Sequence, residues 1–355
     1  MKPGAFHAAC LFVHWVNAVM VFFIAKKLLG RLLPHLEPPK IIIYAFFISL
    51  IFSIHPLQVE SVAWISASKI ILYGFFTLVA LYTYIVYIQT SNWIWLIITA
   101  IAYLLGFASK EQAIILPLNF LLLDFVFGRF ADQNNKRLFL SKVILEKIPF
   151  FIIALSLWYF SFINNFGTVK PDGYPIYQRI MFGLYSISEY IFRFLAPVKM
   201  YFFHSFPISP DDSLPLYYYG YILLIGIIIY FIWNCYRRGS KIVLIGFLFF
   251  IINLLLVLHI IPFPRPVITA DRYMYLSILG LALIITGLVD QWTSFQKRLI
   301  VICACVIWIL FLAVHSFLRT SDWKNSETIK TNVYEILERE QNLQEQTPFN
   351  IIENE

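Results

Sequence analysis

Apolar residues fall into eleven blocks along the chain: roughly Phe6 to Ala25, Ile41 to Ile54, Ile70 to Ile88, Trp93 to Phe107, Ala113 to Phe127, Ile148 to Ile163, Ile180 to Leu195, Leu216 to Trp233, Ile242 to Ile261, Tyr273 to Val289 and Leu299 to Phe317. Short polar or proline-bearing breaks separate them. Most approach the ~20 residues with which a helix crosses a hydrocarbon layer of roughly 30 Å. None shows the ~10-residue alternation of a membrane barrel. Inside lipid a helix satisfies its own backbone groups. The pattern therefore predicts an all-α polytopic membrane protein of about ten to eleven apolar segments.

Composition agrees. Of 355 residues, 60% are hydrophobic and 13% charged, with a mean hydropathy of +0.75, against about 25% charged in soluble domains. A soluble enzyme, a disordered chain and a disulfide scaffold are excluded. Cys10, Cys235, Cys303 and Cys305 lie in or beside apolar stretches, lack metal-ligand spacing and read as packing residues. No Asn-x-Ser/Thr acceptor occurs, which points to a bacterial source. The charge of +7 hides an asymmetry: from Ser321 onward there are eight acids and three bases, which leaves 24 bases and 12 acids in the rest. A basic membrane body (1–320) thus precedes an acidic tail (321–355). Such a body suits phosphate head groups or an anionic lipid, although cytoplasmic loops are basic in any case.

Paired bases set the orientation. Lys26, Lys27 and Arg31; Arg129, Lys136, Arg137 and Lys142; Arg237, Arg238 and Lys241; and Lys297 with Arg298 mark four cytoplasmic loops. Three apolar blocks between the second and third of these cannot all cross. Ile180 to Leu195, which carries Ser186, Ser188, Glu189 and Arg193, is expected to be interfacial or re-entrant. After Asp322, residues Ile329, Val333, Ile336 and Leu337 suggest one short amphipathic helix.

With this topology the unusual polar residues gather at the outer face, where each carries a functional and a plain reading. His55-Pro56-Leu57-Gln58-Val59-Glu60 interrupts an apolar run; Pro56 breaks the helix, and His55 with Glu60 can hold a hydroxyl or a metal, or can satisfy loop backbone. Lys110 and Glu111 either neutralise each other or present an ammonium to phosphate. Thr269-Ala270-Asp271-Arg272-Tyr273 opens an apolar helix after a loop containing Pro262, Pro264, Arg265 and Pro266. Asp271 suits a helix start and Tyr273 an interface, whereas Arg272 suits bidentate phosphate recognition. Asp211 and Asp212 can hold a divalent cation, but adjacent acids more often serve turns.

In this order the elements resemble the membrane part of the transmembrane and tetratricopeptide-repeat O-mannosyltransferase family and its bacterial relatives. The resemblance rests on Phe6-His7 with His14 and Asn17, His55-Pro56 with Glu60 and Ala63-Trp64-Ile65-Ser66, and Ser109-Lys110-Glu111 with Leu116-Pro117 and Leu121-Leu122-Leu123-Asp124. It continues through Glu146-Lys147-Ile148-Pro149, Ala270-Asp271-Arg272-Tyr273, and Trp323 with Ser326-Glu327-Thr328. It implies a GT-C glycosyltransferase fold and transfer of a mannose-like sugar from a polyprenyl-phosphate donor to a protein or glycan hydroxyl, outside a bacterial inner membrane. His55, Lys69, Lys110, Glu111, Arg265, Arg272 and Tyr273 would then bind substrate, with Glu60 and Asp271 as candidate catalytic acids. A divalent cation is an optional cofactor, and no nucleic acid is expected as a partner.

The chain departs from the family in three ways. It starts at the family's second segment, without the first outer loop and its catalytic acid. Ser68 and Ile70 replace the usual neighbours of Lys69. Beyond one helix the repeat array is missing. The alternatives are a non-catalytic membrane scaffold and a protein that binds lipid-linked sugar without transferring it. A transporter ranks last because the polar set is one-sided, and no Gly-rich phosphate loop points to a nucleotide sugar.

Overall fold

The computed structural model describes residues 3–130, 143–166, 173–198, 200, 204, 206–209, 212–260, 267–292, 298–323, 327–328 and 331. The expected tail helix (327–339) lies outside them apart from Glu327, Thr328 and Thr331. In chain order the helices are α1 Pro3–Leu32, α2 Pro38–Ile54, α3 Val59–Ala63, α4 Ser68–Thr90, α5 Trp93–Ser109, α6 Leu116–Val126, α7 Ile148–Phe166, α8 Ile176–Leu195, α9 Gly220–Arg237, α10 Lys241–Leu254, α11 Met274–Trp292 and α12 Arg298–Arg319. No strand occurs among the described residues.

Every one of the eleven apolar blocks forms a helix, but fewer than ten or eleven can cross a membrane. Among the described residues six are long and apolar enough alone: Gly4–Leu32, Ile65–Thr90, Val143–Phe160, Leu216–Arg237, Asp271–Trp292 and Leu299–Trp323. A seventh is added if α2 and its continuation Pro56–Ala63, bent by 51°, count together. Trp93–Ser109 and Lys241–Val257 are apolar but shorter. The block at Ala113 to Phe127 is cut by a 3-10 turn, Glu111–Ile115, which leaves α6 with 11 residues.

The block read as interfacial becomes α8, which is not among the helices able to cross. From its first turn Arg179 donates to the carbonyls of His259 and Ile260, just beyond α10. From its last turn Arg193 reaches Asp271, just before α11. Helices α10 and α11 are antiparallel neighbours joined at that end, so α8 runs along one end of the bundle. Its buried face includes Gln178, Phe182, Ser186, Tyr190 and Arg193, as expected of an amphipathic helix with one face on protein.

The α10–α11 crossing is a close backbone approach: a Cβ on Gly246 or Gly280 would collide with the other residue's carbonyl oxygen. At the opposite end of the bundle, Lys27 donates to Gln89 (2.7 Å) and Arg31 to the carbonyl of Phe127 (3.1 Å). Asp290 accepts there from His35 (2.9 Å), Lys40 and Tyr44 (3.3 Å each). Lys27 and Arg31, read as cytoplasmic, thus lie at the end of the bundle where α1 stops, together with Asp290 and its partners. Of the six candidate spans, α12 is the least enclosed, with only 6% of its apolar window buried. Accordingly Cys303 is exposed and does not pack, whereas Cys10 and Cys235 are buried.

Candidate functional site

The site begins where α2 stops. His55 adopts an extended backbone (φ −69°, ψ 135°), and Pro56 opens a short 3-10 turn. The His55 Nδ1 accepts from Leu57 N at 3.1 Å, and its Nε2 donates to the Phe194 carbonyl at 2.9 Å. The ring also stacks on Phe194, with centroids 5.1 Å apart and planes 4° from parallel. Both ring nitrogens are thereby engaged with backbone, so His55 clasps the α2–α3 break to α8. Gln58 adds a bond from its side-chain amide to the Tyr275 carbonyl at 3.2 Å.

The clasp presents Glu60, on α3, to the start of α11. Glu60 is fully buried. One carboxylate oxygen accepts from the Arg272 guanidinium at 2.5 Å and the other from the Arg272 backbone N–H at 3.1 Å. The guanidinium lies over the rings of Trp64 (5.4 Å) and Tyr273 (5.1 Å), with 17% of the side chain exposed. Trp64 in turn packs on Trp323 at 5.8 Å. An arginine between aromatic faces is held in place yet keeps donors at its edge.

Asp271, also fully buried, accepts from Arg193 Nη1 at 3.3 Å and pairs closely with Arg319 Nη2. Arg319 further donates to the Pro56 carbonyl at 3.0 Å. Arg193 binds Glu189 at 3.0 Å and approaches His204 at 3.5 Å. Burial opposes the Arg193 charge, but Asp271 and Glu189 outweigh it and lift its pKa above the ordinary guanidinium range. Tyr190 donates to the Ala270 carbonyl and accepts from its N–H, fixing the strand-like approach to Asp271. Three arginines thus face three carboxylates, and the buried cluster balances its own charge, as low-dielectric surroundings require.

Of the residues expected to form a site, the fold brings together His55, Glu60, Asp271, Arg272 and Tyr273. Lys110 and Glu111 pair with each other at 3.9 Å on the turn between α5 and α6. Lys69 is exposed on the first turn of α4. Arg265 and Asp211 lie outside the described residues. Asp212 serves a turn, its carboxylate accepting from Ser209 N at 3.1 Å. Sequence reasoning overlooked Arg193 and Arg319 as site members, although Arg193, inside an apolar block, is itself a signal.

A second buried cluster occupies the other end. Asp124 accepts from Tyr84 (2.8 Å) and Arg129 (2.9 Å) and pairs with Lys147 at 2.9 Å, while Glu146 pairs with Arg129 at 2.8 Å. It ties α4, α6 and the entry to α7 together. Among the described residues no group of three or more His, Cys, Asp or Glu side chains is placed to hold a metal ion.

Beside the Glu60–Asp271 cluster a cavity of ≈ 290 Å³ opens between α1, the α2–α3 break and α12. Its walls are mostly apolar, from Leu11, Val59, Val62, Ala313 and Phe317, with His14 and Gln58 among them. His14 is held by the Tyr275 hydroxyl at 2.9 Å, which also accepts from Asn17 at 2.8 Å. No protein-family model matches the chain, and no curated protein or solved structure matches it.

Proposed function

We propose that this chain is the membrane body of a GT-C-type glycosyltransferase, with a polyprenyl-phosphate-linked, mannose-like sugar as donor and a protein or glycan hydroxyl as acceptor, facing the periplasm from a bacterial inner membrane. The observation that carries the reading is convergence. His55, Glu60 and Trp64, then Asp271 and Arg272, then Arg319 and Trp323, come from three segments more than forty residues apart and meet in one buried cluster. Ionisable groups at membrane depth are costly and are retained chiefly for function.

In this reading the partly exposed edge of Arg272 takes the phosphate, and the neighbouring apolar cavity takes isoprene units. Glu60 orients Arg272 through two bonds, and Asp271 holds Arg193 and Arg319 beside it. The test is binding of a fluorescent polyprenyl phosphate to the chain in nanodiscs. Losing charged hydrogen bonds of about 1.5–3 kcal/mol predicts that Arg272→Ala weakens binding by about 10- to 100-fold. Arg272→Lys, which keeps the charge but not the fork, weakens it less. Unchanged binding in a folded Arg272→Ala protein overturns the assignment.

One observation favours a second reading, a protein that binds lipid-linked sugar without transferring it: Glu60 and Asp271, the two candidate catalytic acids, are both fully buried and paired with arginines. Transfer from polyprenyl-phosphate mannose separates the two. Binding without any turnover selects the second.

A further inference from the structure

At the end of the bundle opposite the Glu60–Asp271 cluster, α1 finishes with Lys26, Lys27 and Arg31. Its 30 residues at ~1.5 Å each make it about 45 Å long, which matches a bilayer with both head-group layers included. The last two turns therefore lie at head-group level. Lys27 and Arg31 stand four residues apart on one face, and each is held by a neutral partner from another helix. Lys27, bonded to Gln89 at the end of α4, lies over the Tyr82 ring at 5.5 Å. Arg31, bonded to the Phe127 carbonyl just past α6, lies over the Phe127 ring at 5.8 Å. Both cations are thus aimed at the junction of α1, α4 and α6. Among the described residues, neither they nor Lys26 forms an ion pair: Asp124 and Glu146 are taken by Arg129 and Lys147, Asp290 by His35 and Lys40, and Glu37 is exposed and pairs with none of them. The α1 dipole supplies about half a negative charge at its C-terminus, too little to offset three bases. Like charges at i and i+4 repel, so the arrangement calls for an anion from outside. Donors are open for one, since only Nη2 of Arg31 and one N–H of Lys27 are used by described residues. Three and seven residues before Lys26, Phe23 and Val19 are exposed on the same strip of α1.

We propose that this junction binds the phosphodiester head group of an anionic membrane phospholipid, of the phosphatidylglycerol class, with an acyl chain along Phe23 and Val19. The open edge of Arg31 and the Lys27 ammonium share the two non-bridging phosphate oxygens, the guanidinium as a fork and the ammonium as a point charge. Exposed Lys26 adds attraction to the head group. A zwitterionic head group brings its own cation against these three bases, so charge selects the anionic lipid. Bound there, the phosphate ties the end of α1 to those of α4 and α6. The transferase reading stands or falls separately, at the other end of the bundle.

The experiment uses the full chain in an uncharged detergent, with bound lipid counted by native mass spectrometry and the unfolding temperature read alongside. Dioleoyl-phosphatidylglycerol is the probe, and dioleoyl-phosphatidylcholine, which has the same chains, is the comparison. The anionic lipid is expected to stay bound and to raise the unfolding temperature by mass action, and the zwitterionic one to bind at least about 10-fold more weakly. Losing its charged hydrogen bonds, Lys27→Gln/Arg31→Gln should weaken phosphatidylglycerol binding by about 10- to 100-fold. Lys40→Gln, at the same end but paired with Asp290, should change it by less than about threefold. Equal binding of the two lipids, or equal losses in Lys40→Gln and the double variant, overturns the site and leaves a diffuse positive surface. Should the double variant not fold, Lys26→Glu decides, because Lys26 is exposed: a several-fold loss supports the site and an unchanged affinity overturns it. Displacement of the lipid by inorganic phosphate at matched ionic strength would make this a free-anion site and overturn the lipid assignment.

Discussion

Glu60 and Arg272 illustrate how a buried ion pair constrains substitution. Removing one partner leaves an uncompensated charge, at a cost of about 3–5 kcal/mol, whereas replacing both with apolar groups is often neutral. Glu60→Ala should therefore lower the unfolding temperature of the detergent-solubilised protein sharply, and the double variant Glu60→Ala/Arg272→Met should restore most of it. A Glu60→Ala protein that unfolds like the wild type would mean that water reaches Arg272 freely. The same reasoning applies to Lys147 and Asp124: Lys147→Met should destabilise by a similar few kcal/mol, read by the same melting assay. At this scale the sequence was partly legible. Proline after histidine marked the break that delivers Glu60, and a lone arginine at a helix start marked Arg272. For His55 the plain reading, that it satisfies loop backbone, was legible and holds at Leu57, whereas its second partner was not, because a carbonyl of Phe194 leaves no trace in residue identity. Arg193 and Arg319 escaped because Asp271 lies 78 and 48 residues from them, and spacing along the chain cannot announce such a meeting.

Among the elements, α10 and α11 approach backbone to backbone. Gly246 and Gly280 face each other so closely that neither tolerates a methyl group without backbone movement. Overpacking of this kind costs about 1–3 kcal/mol, so Gly280→Ala should reduce thermal stability, while Gly226→Ala on α9, whose Cβ would meet open space, should not. Equal effects at both positions would show that the two helices can slide apart. The apolar blocks revealed every helix but the short α3, since an apolar run in lipid must satisfy its own backbone groups. Which elements cross was less legible. Length fails for α5, α6 and α10, and a charged residue in α8 reports burial against protein as readily as exposure to water.

For the whole molecule, the fold supplies a test of orientation that charge counting alone could not. Lys27, Arg31, Arg129 and Lys40 share one end of the bundle, while Arg272, Arg319 and Asp322 share the other. With the native cysteines replaced, a cysteine at Ser66 or Ser321, both exposed, should react with a membrane-impermeant maleimide in intact cells. One at exposed Ser91 should react only after permeabilisation. The reverse pattern would put the site in the cytoplasm and overturn the outward-facing reading.

Helix α5 turns its Trp93, Ile94, Ile97, Ile101, Leu104 and Leu105 outward, yet its 17 residues rise only about 25 Å at ~1.5 Å per residue. A hydrocarbon layer of roughly 30 Å overshoots it, and a bilayer crossed by α5 would thin beside it by a few ångströms, at fractions of a kcal/mol per Å. If α5 crosses, the protein sits in a dimple of its own making, with head groups lowered toward the turn that carries Lys110, and membranes of shorter acyl chains should hold it with less deformation than those of longer ones.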